Sequence, residues 1–148
     1  MNKVIAIFAI AFSINVQANT AYVPLAFHSK NETQSSRACF YMTNITDGDI
    51  YATFSLFSSD GTKYYPEIEQ ATYIQTIGEP FKVPPRGTGS FCLKNQPPVY
   101  IGSGQIDVVA TSGFNRSQLM VAQGNLLIYL SGKNATTSAI VINGGMPF

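Results

Sequence analysis

Two cysteines sit in apolar, aromatic surroundings, Cys39 in RACFYMTN and Cys92 in GTGSFCLKN, and the chain has no others. As thiols they would supply a nucleophile, a redox centre or metal ligands, and joined they would form a cross-link. A nucleophilic cysteine needs a lowered pKa and a nearby base, but the only histidine, His28, lies in the separate segment AYVPLAFHS. A redox pair would read Cys-x-x-Cys, and zinc would need two further good ligands. The spacing of 53 positions suits a structural disulfide, which in the chain-entropy picture contributes about 4 kcal/mol. The expectation is a Cys39–Cys92 bond fastening one sheet to another.

The carboxylates fall into two groups. Asp47, Asp49 and Asp60 sit in turn-like stretches, and Glu67, Glu69 and Glu79 in an irregular middle region. Paired carboxylates can run acid–base hydrolysis, and oxygen clusters can hold calcium. Neither has its spacing here, because DGDI lacks the remaining ligands of a calcium loop. Turn chemistry accounts for the aspartates. The segment KYYPEIEQATY is the leading surface candidate. Tyr64, Tyr65 and Tyr73 are amphipathic contact formers, and Glu67 and Glu69 would orient a bound partner. The bland alternative packs one tyrosine inward and leaves the others as ordinary strand residues. Four Asn-x-Ser/Thr triplets begin at Asn31, Asn44, Asn115 and Asn134. They are glycan acceptors only in a eukaryotic secretory pathway, and Asn44 and Asn115 also have simple turn roles.

These residues need a scaffold, and the N-terminus indicates its compartment. MNKVIAIFAIAFSINVQA carries Lys3, an apolar run from Val4 to Phe12, and small residues Val16 and Ala18 before Asn19. This is the order of a secretory signal peptide, and the run is shorter than the ~20 residues of a membrane-spanning helix. The expectation is a cleaved segment 1–18, a single exported domain 19–148, periplasmic or extracellular, and no stable membrane insertion. Loss of Lys3 from nine basic residues leaves eight against eight acids. A neutral chain with scattered charge argues against nucleic acid as partner. No cofactor motif is present and no cofactor is expected.

The mature chain alternates as β-strands do. Ala52, Phe54 and Leu56 share one face of IYATFSLFS, and Ile106, Val108 and Ala110 one face of GQIDVVATS. Pro24 predicts that AYVPLAFHS lies on an edge or begins at an irregularity. Asp47-Gly48-Asp49, between two strand patterns, predicts a hairpin. Pro66 to Lys82 reads as an irregular strand or functional loop, and QLMVAQGNLLIYLS as a strand interrupted near Gly124 and Asn125. With no long amphipathic helix, the fold class is all-β: an antiparallel β-sandwich of seven to nine strands, immunoglobulin-like in general architecture. An outer-membrane barrel fits less well, because several strands are short and the Pro66–Gly78 region is irregular.

The order VPLAFHS, FYMTNITDGDIYATFSLFSSDGT, VPPRGTGSFCL, IGSGQIDVVATSG and VINGGMPF resembles exported bacterial β-sandwich proteins of mostly unknown role. It is similar in layout to the sensory-rhodopsin-transducer sandwich. The leading functional expectation is a non-enzymatic binding module for a protein or glycan, with a homo-oligomer compatible. Alternatives are a structural subunit of a surface assembly, pairing through the edge of AYVPLAFHS, and a carboxylate-dependent hydrolase.

Overall fold

A computed structural model describes residues 19–111, 117–130 and 136–148, so the expected signal peptide lies outside the described residues. Ten strands follow in order: β1 Asn19–Lys30, β2 Gln34–Asn44, β3 Ile50–Ser58, β4 Lys63–Tyr64, β5 Ile68–Thr72, β6 Pro80–Val83, β7 Thr88–Leu93, β8 Tyr100–Ala110, β9 Met120–Leu130 and β10 Thr136–Val141. A short 3-10 turn spans Asn143–Gly145. Ten exceeds the expected seven to nine because, after the two-residue β4, the irregular middle yields two further short strands, β5 and β6, of five and four residues.

Every strand pairing is antiparallel. One layer runs β10-β9-β2-β7-β5, and the other runs β1-β8-β3, with β6 and β4 sharing the far edge of β3. The layers join at one corner, where His28, Ser29 and Lys30 of β1 pair with Arg37, Ser36 and Ser35 of β2. Further along the same edge of β2, Cys39–Thr43 turn to β7 instead. The sheet is not closed into a barrel.

Alternation places the core as expected. Ala52, Phe54 and Leu56 are buried, as are Ile106 and Val108, and Ala110 packs against their cluster. Phe40 and Phe91 are register partners on β2 and β7. Their rings meet Phe54 of the opposite layer at centroid distances of 4.9 Å each. Offset and edge-on aromatic contacts of this kind add to the area they bury.

Three sequence expectations change, and that for AYVPLAFHS holds in part. The Asp47–Asp49 turn is no hairpin: β2 pairs with β9, β7 and β1, and β3 with β8, β6 and β4, so the turn carries the chain between layers. Asp-Gly chemistry specifies a local reversal and not which strands it joins. The AYVPLAFHS strand has its irregularity at Pro24, inside the strand rather than at its start, and one of its edges is largely unpaired. Asn19–Val23 and Ala26–His28 pair with β8 on one edge, the other edge meets β2 only at His28–Lys30, and the register shifts between Val23 and Ala26, at Pro24. The β9 strand runs unbroken through Gly124. A Cβ there would lie 2.9 Å from the Phe40 ring and 3.1 Å from Ile140, so this glycine makes room for packing rather than ending a strand.

The disulfide forms, but within one layer. Cys39 and Cys92 are directly opposed on neighbouring strands β2 and β7. Inward positions on β2 are Ala38, Phe40 and Met42, so the bond lies on the outer side of the layer, apart from the apolar cluster. Alternation rules out an inward cysteine beside an inward Phe40.

Candidate functional site

The five residues singled out in KYYPEIEQATY divide among four surroundings. Tyr64 pairs with the inward Leu56 and turns into the corner. Its ring stacks on Tyr100 at 4.0 Å, and its Oη lies 2.8 Å from Nε2 of the buried His28. His28 Nδ1 lies 3.0 Å from the Gln96 carbonyl oxygen, which can only accept, so Nδ1 carries the proton and Nε2 accepts from Tyr64. Burial lowers the His28 pKa, against the opposing pull of that carbonyl. Burial also raises the Tyr64 phenol and pushes Tyr100 up to about 12. Tyr100 donates to the Phe57 carbonyl at 2.9 Å. All three rings stay neutral near pH 7, and this cluster is a satisfied polar corner.

Glu67 pairs with Lys94 and Glu69 with Arg37, whose guanidinium carbon also lies 5.7 Å from the Tyr129 ring centroid on the outer side of the β2–β9 layer. Tyr73 has a left-handed backbone (φ 68°) and, with Gln75, Thr76, Glu79, Pro80 and Phe81, lines a concavity of about 310 Å³ between β5 and β6. Tyr65 points the opposite way from Tyr64. It is 63% exposed, and its ring lies over Gly78, where a Cβ would approach to 2.9 Å. Gly78 in turn donates its N–H to the Phe54 carbonyl at 2.8 Å, which holds the Tyr65 ring beside the edge of β3.

Tyr65 thereby belongs to a surface that sequence reasoning missed, the outer face of β1-β8-β3. Because Ala21, Val23, Ile106, Val108, Ala52 and Phe54 face inward, Thr20, Tyr22, Gln105, Asp107, Tyr51, Thr53 and Ser55 face out. The register sets them in rows across the strands. Thr20 lies opposite Asp107 and then Thr53, with Pro80 of β6 beyond. Tyr22 lies opposite Gln105 and then Ser55, and Tyr65 directly follows β4, whose Tyr64 pairs with Leu56. Tyr22 and Tyr65 are 71% and 63% exposed, and the row from Tyr22 to Ser55 spans two interstrand steps, about 10 Å at the usual strand spacing. Tyr51 projects from the same face.

Between the tyrosines the polar groups are pre-set. Thr20 Oγ1 donates to Asp107 Oδ1 at 2.7 Å, and Gln105 Nε2 donates to both Asp107 oxygens at 2.9 Å. The carboxylate anchors its two neighbours, which leaves Gln105 Oε1 and the Thr53 and Ser55 hydroxyls to meet solvent or a ligand. The sequence signal for this face was the outward phase of each strand, in AYVPL, IYATFS and GQIDVV. What it lacked was their adjacency.

Comparison with known proteins gives no match to any family model, any curated protein or any solved structure. No helix among the described residues is long and apolar enough to cross a membrane, and an intramolecular disulfide fits an oxidising compartment.

Proposed function

We propose that the protein is an exported, non-enzymatic binding module that holds an uncharged glycan strand across the outer face of β1-β8-β3. The observation that carries this reading is the row Tyr22–Gln105–Ser55 on a face that also exposes Tyr65, two exposed rings accompanied by uncharged hydrogen-bonding groups. Tyrosine rings offer flat apolar faces to the C–H groups of a sugar ring, and they lose little conformational entropy on binding. The polar groups between them match sugar hydroxyls. The fully buried centre of a protein interface is more apolar than this, so a glycan suits the face better than a folded partner.

The distribution of acids supports a non-enzymatic role. Asp47 pairs with Arg86 and Asp49 with Lys82, each at 2.7 Å, while Glu67 and Glu69 hold Lys94 and Arg37. Each of these four acids is held by a basic side chain, whereas glycoside hydrolysis needs two carboxyl groups converging on one bond. Titration calorimetry of the mature protein against neutral and anionic soluble polysaccharides tests the proposal. Tyr22→Ala and Tyr65→Ala should each weaken binding of a neutral polymer by roughly fivefold or more, with Tyr129→Ala on the opposite layer as the unaffected control. Failure to bind any neutral polymer, or binding indifferent to both tyrosines, would rule it out.

A further inference from the structure

Among the described residues the two layers present four lateral edges, and three of them oppose the addition of a strand. The open edge of β1 is interrupted at Pro24, where its register shifts. On β5 the register shifts between Glu69 and Thr72, Gln70 is left-handed (φ 54°), and Glu67 and Glu69 bring charge. The third edge is divided between the short β4 and β6 and includes Pro80 and Lys82. Bulges, prolines, charges and shortness are the means by which natural sheets keep their edges from templating other chains.

The β10 edge has none of these. Its sequence, TTSAIV, has no charge, proline or glycine, and its register with β9 runs unbroken from Thr136↔Ile128 to Val141↔Gln123. Among the described residues β9 is its only strand partner. Ile140 alone is buried, and Thr136, Thr137, Ser138, Ala139 and Val141 are exposed.

We propose that β10 is a self-pairing edge, through which two copies of this chain join antiparallel, β10 to β10, about a twofold axis. A strand edge presents backbone N–H and C=O groups that another extended strand can satisfy along its whole length. Identical uncharged strands meet without like charges opposed, and threonine, isoleucine and valine favour the pleated geometry. The contact is isologous and therefore closes at two copies. The axis of an antiparallel pair is normal to the sheet, so the dimer turns both β1-β8-β3 faces to the same side. If those faces bind a polymer, the dimer engages it twice, and linkage raises avidity with no new contact. The pairing itself does not depend on that reading.

Sedimentation velocity of the disulfide-intact mature protein over a concentration series tests the pairing. The expected result is a monomer–dimer equilibrium whose dissociation constant rises at least about tenfold in Ala139→Lys, which sets like charges together across the axis. Ala71→Lys on β5 should leave it unchanged. Amide hydrogen exchange on the unsubstituted chain reads the same edge, with residues 136–141 exchanging more slowly as concentration rises. A wild-type chain that stays monomeric throughout overturns the proposal. So does a dimer that dissociates in Ala71→Lys but not in Ala139→Lys, or exchange at 136–141 that ignores concentration.

Discussion

At Asn44 a single side-chain amide organises the passage between the layers. Its Nδ2 donates toward the carbonyls of Gly48, Val83 and Pro84 at 2.8, 3.1 and 2.9 Å, and its Oδ1 accepts from the Thr46 N–H and hydroxyl, both at 2.8 Å. The residue is fully buried, so these bonds replace solvent for both the turn and the end of β6. Asn44→Ala strips the donor from buried carbonyls, and unsatisfied buried groups cost more than an average bond contributes. The expected loss is about 3 kcal/mol in urea unfolding with the disulfide intact, and a loss below about 0.5 kcal/mol would contradict this role. The same geometry bears on the Asn-x-Thr triplet at Asn44, whose Nδ2 is unreachable by a glycan transferase once the chain has folded. Asn31 differs: it is exposed, and its Oδ1 accepts from the backbone N–H groups of Thr33 and Gln34 in the β1–β2 turn. Asn115 and Asn134 lie outside the described residues.

Among the elements, β2 and β7 are held in register by the Cys39–Cys92 bond, and Thr43 and Thr88 of the same pair are 3.0 Å apart at their hydroxyls. Between the two cysteines the chain leaves this layer, builds β3 and β4 in the other, returns for β5, crosses again for β6 and comes back as β7. The bond therefore closes the longest excursion between layers, although it does not itself span them. Its contribution arises in the unfolded chain, where it restrains that loop. A Cys39→Ala/Cys92→Ala variant should keep the fold, because the apolar cluster is untouched. It should lose about 2–4 kcal/mol, read as a lower denaturation midpoint at an unchanged native circular dichroism spectrum. A variant as stable as the parent would show that the excursion is already ordered without the bond.

For the whole molecule, the corner where the layers join contains the fully buried His28, tied to Tyr64, Tyr100 and Gln96. Its pKa is lowered by burial, below the 6.5 of an exposed histidine. Between those two values the unfolded chain binds a proton that the folded chain refuses, so stability rises with pH across the window. This contribution is complete above about 6.5 and is lost as pH falls through that value toward the lower folded pKa. Thermal unfolding between pH 7.5 and 5.5 should show a falling Tm for the parent and a flatter profile for His28→Gln. Equal slopes would mean that His28 does not set the acid sensitivity of the corner.

How much of this was legible beforehand depends on the range of the physics. Alternation is a steric property of one strand, and it correctly assigned Ala52, Phe54 and Leu56 to the core. Two cysteines in strand patterns were enough to expect their bond. The partners of each strand were not readable, because the Asp47–Asp49 turn has the same local chemistry in a hairpin as in a crossing between layers. The candidate face was hidden for the same reason: Tyr22, Ser55 and Gln105 come from three separate segments, and only the strand registers bring them into one row. By itself the sequence determined an antiparallel β fold, the inward phase of its strands and the cross-link. Tertiary structure decided that the cross-link lies within one layer, that β9 is the only strand partner of β10 among the described residues and that the tyrosines share a face. Those outcomes follow from ladder pairing and from burial of both layers' inner faces, which compare segments far apart in the chain.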